Sequence, residues 1–162
     1  MGRPVNSRIA FLLLALVAGP AAADSTCRIT SLVGLNFGVY DPFATVARDT
    51  QASVGLTCSR VGGPQNNTIT LALSAGAHGT STADRRLAGS GVPTTISYNL
   101  YRDSGRTFIW GNTPGVDAAT ELISVPNNGS ASTTVVIYGR IPANQDVYVG
   151  SYADQVTLTV TP

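Results

Sequence analysis

Apolar and polar residues alternate with period two along most of the chain after residue 23, the pattern of strands with one packed face and one wet face. Residues 51–59 place Val54, Leu56 and Cys58 on one face and Ser53, Gly55 and Thr57 on the other. Residues 68–74 set Ile69, Leu71 and Leu73 against Thr70 and Ala72, and residues 95–101 set Ile96, Tyr98 and Leu100 against Ser97 and Asn99. Residues 132–139 alternate Thr133, Val135 and Ile137 with Thr134, Val136 and Tyr138. Residues 154–161 read as one final strand, with Val156, Leu158 and Val160 inward and Thr157, Thr159 and Thr161 outward. The opening segment, residues 27–37, is less regular, with Ile29, Val33, Leu35 and Phe37 as its apolar positions. No stretch sustains the i, i+3, i+4, i+7 spacing of an amphipathic helix.

Turn clusters such as Gly62-Gly63-Pro64, Asn127-Asn128-Gly129 and Pro142-Ala143-Asn144 separate these segments. The expectation is an antiparallel all-β domain built as a two-sheet sandwich. Residues 75–93, rich in Gly, Ser and Thr, are expected to cross the surface. About six strands are legible, fewer than the seven of an immunoglobulin-type sandwich. A sandwich one strand short would expose apolar core and unpaired backbone along one edge, which invites strand addition by another chain.

Residues 1–23 stand apart from this pattern. Arg3 and Arg8 precede an apolar run from Ile9 to Val17, and Ala21-Ala22-Ala23 follows as a small-residue cleavage site. That order is a secretory signal peptide, and the run is too short to span a bilayer. Cleavage after Ala23 would leave a mature domain over residues 24–162, exported and soluble. Export makes a disulfide between Cys27 and Cys58, the only two cysteines, the expected pairing.

Composition removes further classes. The ten basic residues are all Arg, the formal charge is +1 and only 12% of residues are charged. No basic patch marks a nucleic-acid partner. Catalysis is not expected: His78, the only histidine, sits in Gly76-Ala77-His78-Gly79, a flexible loop, and no G-x-S-x-G elbow occurs. Asp41, Asp49, Asp84, Asp103, Asp117, Asp146 and Asp154 are scattered singly, without the clustered oxygens of a metal loop, so neither metal nor cofactor is expected. Asp103 is expected in a turn and Asp154 to organise the approach to the last strand. Trp110 is expected in the core.

Several short segments together point to one family. They are Leu35-Asn36-Phe37-Gly38-Val39-Tyr40-Asp41-Pro42 and Val54-Gly55-Leu56-Thr57-Cys58, then Ser97-Tyr98-Asn99-Leu100-Tyr101-Arg102-Asp103 and Trp110-Gly111. The longest is Val136-Ile137-Tyr138-Gly139-Arg140-Ile141-Pro142-Ala143-Asn144-Gln145, followed by Gly150-Ser151-Tyr152-Ala153-Asp154 and the alternating end. In order and spacing the chain resembles the spore coat protein U domain, found in subunits of archaic chaperone–usher pili. The resemblance implies an incomplete immunoglobulin-like β-sandwich lacking its final strand. It implies as partners a periplasmic chaperone that lends a strand, an outer-membrane usher that exchanges it, and neighbouring pilus subunits. The final strand, with Val156, Leu158 and Val160, would then border the vacant position. The implied location is the periplasm and then a bacterial cell-surface pilus.

After cleavage at Ala23 only Asp24, Ser25 and Thr26 would precede Cys27. Three residues reach about 10 Å, too little for a donor strand. The expectation is therefore a subunit that accepts a strand without donating one, as at a pilus tip. A tip adhesin that binds a surface or glycan is the first alternative. A self-complete secreted coat protein is the second.

Overall fold

The alternating segments form strands because their β-branched and aromatic residues can pack one pleated face while Ser and Thr face water. A computed structural model describes residues 25–162; the leader assigned to residues 1–23 lies outside the described residues. Nine strands follow in order: β1 (Thr26–Val33), β2 (Arg48–Ser59), β3 (Gln65–Leu73), β4 (Arg85–Gly89), β5 (Thr95–Tyr101), β6 (Ala119–Val125), β7 (Ser130–Ile141), β8 (Tyr152–Ala153) and β9 (Leu158–Thr161). Among the described residues there is no helix.

All pairings are antiparallel. One sheet has the order β1-β2-β7-β5-β4-β8 and the other β6-β3-β9. The core lies between them. Val54, Leu56, Val135, Ile137 and Leu100 of the larger sheet meet Ile69, Leu71, Ile123 and Val125 of the smaller, all buried. The fold is thus the all-β, immunoglobulin-like sandwich expected from the sequence.

Cys27 stands directly opposite Cys58 in the β1–β2 ladder, and the two form a disulfide with an S–S distance of 2.05 Å. It fastens the edge strand β1 to the buried β2. Replacing both cysteines by Ser should lower stability by about 3–4 kcal/mol, the loop-closure value for this separation. Equilibrium denaturation of the two forms reads this directly; a loss below about 1 kcal/mol would show that the ladder alone holds β1.

Three sequence expectations need correction. The count of six strands was low, because β4 and β6 do not read as apolar alternation. β4 carries Arg85 and Arg86 side by side, and β6 puts Glu121 at an inward position and Leu122 outward. Residues 75–93 are therefore not a simple surface crossing: they contribute β4 and the fully buried Arg85. The last segment is also shorter than expected. Of residues 154–161 only 158–161 form a strand, β9, paired with β3 in the smaller sheet, while residues 154–157 cross to it from β8, which pairs with β4 in the larger.

Arg85 joins the layers. Its guanidinium donates to the carbonyls of Ser74 (2.9 Å), Thr82 (2.9 Å), Leu73 (3.2 Å) and Trp110 (2.7 Å), and to Asn99 Oδ1 (2.7 Å). Burial lowers its pKa, opposed by Tyr98, Asp117 and Asp154 nearby; an arginine nevertheless stays charged. Trp110 is buried as expected, its indole N–H donating to Leu71 O at 2.8 Å.

Candidate functional site

Cross-strand neighbours in an antiparallel ladder point to the same side. Cys27, Ile29 and Leu32 of β1 therefore point inward beside Cys58, Leu56 and Val54, a bulge near residue 30 keeping Leu32 in phase. The β2 partners are fully buried, yet Ile29 is 44% and Leu32 65% exposed. The inner face of β1 has no layer opposite it.

What lies there is a groove of about 1110 Å³. Its floor is core: Leu73, Ile96, Tyr98, Leu100, Ile137 and Ile141. One wall is β1 and the extended residues 34–40 that continue it. The other is residues 147–158, including Val156 and Leu158. β9 bonds to β3 along one edge only, and β1 to β2 along one edge only. Two unpaired strand edges thus flank an apolar trough.

Residues 34–40 leave the ladder yet keep their place through side chains. Arg48 Nε donates to Phe37 O (2.7 Å) and Thr50 Oγ1 to Asn36 O (2.9 Å). Leu35 and Phe37 press onto β7 at Gly139, where a Cβ would meet Leu35 Cδ2 at 2.6 Å and Phe37 Cζ at 3.0 Å. The bare Gly139 lets both side chains lie directly on β7; any side chain there would push them aside. The Tyr40 hydroxyl donates to Pro142 O (3.0 Å) and accepts from the Gln145 N–H (3.0 Å). Phe37 and Tyr98 meet edge to face, with centroids 5.8 Å apart.

Asp154 fixes the opposite wall where it crosses between sheets, as its expected role required. Its carboxylate accepts from the Tyr98 hydroxyl (2.7 Å) and the Ala77 N–H (2.8 Å). Burial pushes the Tyr98 phenol well above its ordinary value of 10.0, and the Asp154 bond and charge raise it further. A raised folded pKa means stability that is full below about pH 10 and lost as pH rises beyond it. Tyr98→Phe should flatten that alkaline limb and cost about 1–2 kcal/mol at neutral pH. A double-mutant cycle with Asp154→Ala should return a coupling of about 1 kcal/mol; zero coupling would mean the bond contributes nothing.

Of the edge residues expected from sequence, Val156 and Leu158 line the groove. Val160 also packs on the core but lies outside the groove lining. The wall formed by Leu35, Phe37 and Tyr40 was not expected as part of the site. Its signal was the loss of strict alternation after Ile29. His78 is exposed, and Asp103 occupies a turn, accepting the N–H groups of Thr107 and Phe108. No group of three or more metal-ligating side chains occurs among the described residues.

Comparison with known proteins gives two findings. The family model for the Spore Coat Protein U domain matches residues 12–159. Protein U of Myxococcus xanthus is 30% identical over 154 residues, covering 87% of this chain and 80% of that protein.

Proposed function

The chain belongs to the Spore Coat Protein U domain family, and from that premise we propose that it is an exported structural subunit of a chaperone–usher pilus, assembled by accepting a strand from another chain. The observation that carries this reading is the apolar groove between two unpaired strand edges. An added strand bonds its backbone to β9 or to the β1 side, while its alternate side chains fill the floor; affinity is generic and fit is specific. The exposed groups of β9 are Thr159 and Thr161, with no charge, Pro or bulge of the kind that guards an edge against pairing.

In this reading the first donor is a periplasmic chaperone, the exchange takes place at an outer-membrane usher, and the second donor is a neighbouring subunit. Cleavage after Ala23 and a place at the fibre tip are proposed with it. N-terminal sequencing of the exported chain tests both, since a start that leaves a long apolar extension before Cys27 would supply a donor strand.

Co-expression with the candidate chaperone tests strand acceptance. The expected result is a soluble one-to-one complex, with aggregation or low stability of the chain alone. A photocrosslinker at Val149, fully exposed on the groove rim, should capture the chaperone; one at Leu122, on the outer face of β6, should not. A stable monomer that ignores the chaperone would instead identify a self-complete coat protein.

A further inference from the structure

The sandwich has a second opening along the opposite edge of the smaller sheet. There β6 faces the middle of β7 across a cleft of about 520 Å³. Arg102, Phe108, Trp110, Glu121, Thr134 and Tyr138 line it. Its character differs from the groove: it is polar-walled and carries charges of both signs.

Phe108 is 60% exposed, although its backbone is closely held. The Asp103 carboxylate accepts the N–H of Phe108 (2.8 Å) and of Thr107 (3.0 Å), and the Arg102 N–H donates to Phe108 O (3.0 Å). Arg106 adopts a left-handed φ of 58° to close the turn. The same N–H bonds hold the Asp103 carboxyl below its usual range, so the clamp stays ionised and closed at neutral pH. The result is a large apolar ring fixed in water at the mouth of a cleft. The Arg102 guanidinium lies 6.0 Å from the ring centroid.

Glu121, the only glutamate of the chain, is the second anomaly. Its position on β6 alternates with outward Thr120 and Leu122, in phase with Ala119 and Ile123, so the sheet turns it towards the cleft. Among the described residues it has no hydrogen-bond or ion-pair partner, and Arg102 in the same cleft is not within salt-bridge distance. Its acceptor oxygens are therefore free to take hydrogen bonds from a donor that enters the cleft.

We propose that this cleft binds a neutral oligosaccharide. A pyranose offers an apolar C–H face for the Phe108 ring and hydroxyls that can donate to Glu121, accept from Arg102 and do either with Thr134. Glu121 opposes an anionic ligand and Arg102 a cationic one, while the polar walls disfavour a lipid chain. Pockets of this kind combine an aromatic platform with a few convergent polar groups. The proposal uses none of the groove residues and stands apart from strand acceptance.

The test presents immobilised cellohexaose, chitohexaose, maltohexaose and laminarihexaose to the exported full chain, isolated in whatever complex keeps it soluble. At least one probe should bind. Phe108→Ala should weaken that binding about tenfold or more, and Glu121→Gln by about threefold or more. Val61→Ala, a still more exposed apolar position elsewhere, should leave it unchanged. The Trp110 fluorescence melt should be the same for all variants, since Phe108 is a surface ring. Failure of every probe to bind would overturn the proposal. So would binding indifferent to both cleft substitutions, or capture only of extended peptides along the β6 edge.

Discussion

Arg85→Ala should remove on the order of 4 kcal/mol or more of stability and leave little folded protein at physiological temperature. Arg85 is the largest polar side chain with no exposure, and it donates five hydrogen bonds to four carbonyls and one side-chain amide oxygen. Those acceptors belong to the end of β3, the turn before β4, β5 and the residue following β5's return. Deleting the side chain strands them together in a dry site, and a buried unpaired acceptor costs about 1–3 kcal/mol. The cavity adds to that. Arg85→Lys should recover only part of the loss, because one ammonium cannot reproduce the planar fork. Trp110 is the only tryptophan and lies beside the guanidinium, so its emission reports denaturation at this point. A loss below about 1 kcal/mol would mean that the acceptors find other donors.

The residues around Arg85 also show what the sequence could and could not reveal. Val54, Leu56 and Cys58, or Ile69, Leu71 and Leu73, announce their strands because each side chain agrees with its face. β4 is hidden because its first inward residue is an arginine, an arrangement that only five tertiary acceptors make tolerable. β6 is hidden because Glu121 and Leu122 exchange the usual places of polar and apolar residues. Local pattern fails where a distant partner, or an opening in the sandwich, sets the environment instead. The groove was legible in part. The family resemblance put the final strand beside a vacant position, and Val156 and Leu158 do border the trough. Its other wall was not, since Leu35 and Phe37 are placed by Arg48, Thr50 and the close approach at Gly139. None of these is a neighbour in sequence. The strand count carries none of this, since nine strands form where six were read; the uncovered inner face of β1 carries it.

That uncovered face leads to the largest gain expected from any change. A short turn and an alternating apolar strand added after Pro162 would let the chain fill its own groove. Four inward side chains brought from water to full burial contribute about 1.5–3 kcal/mol each, before the ordering of the added residues is subtracted. Because the donor is tethered, closing its loop costs little more than a longer turn would. A net gain of about 5 kcal/mol is the expected order, raising the melting temperature by roughly 10–20 °C for a domain of this size. Ile29 and Leu32 should become protected, and the extended chain should not form the one-to-one complex proposed above. The control is the same extension with Ser at the inward positions, which retains backbone pairing but leaves the trough empty. Equal stability of the two extensions would show that β9 and β1 do not admit a strand between them. A large difference would show that the side-chain floor, more than the unpaired backbone, selects what enters.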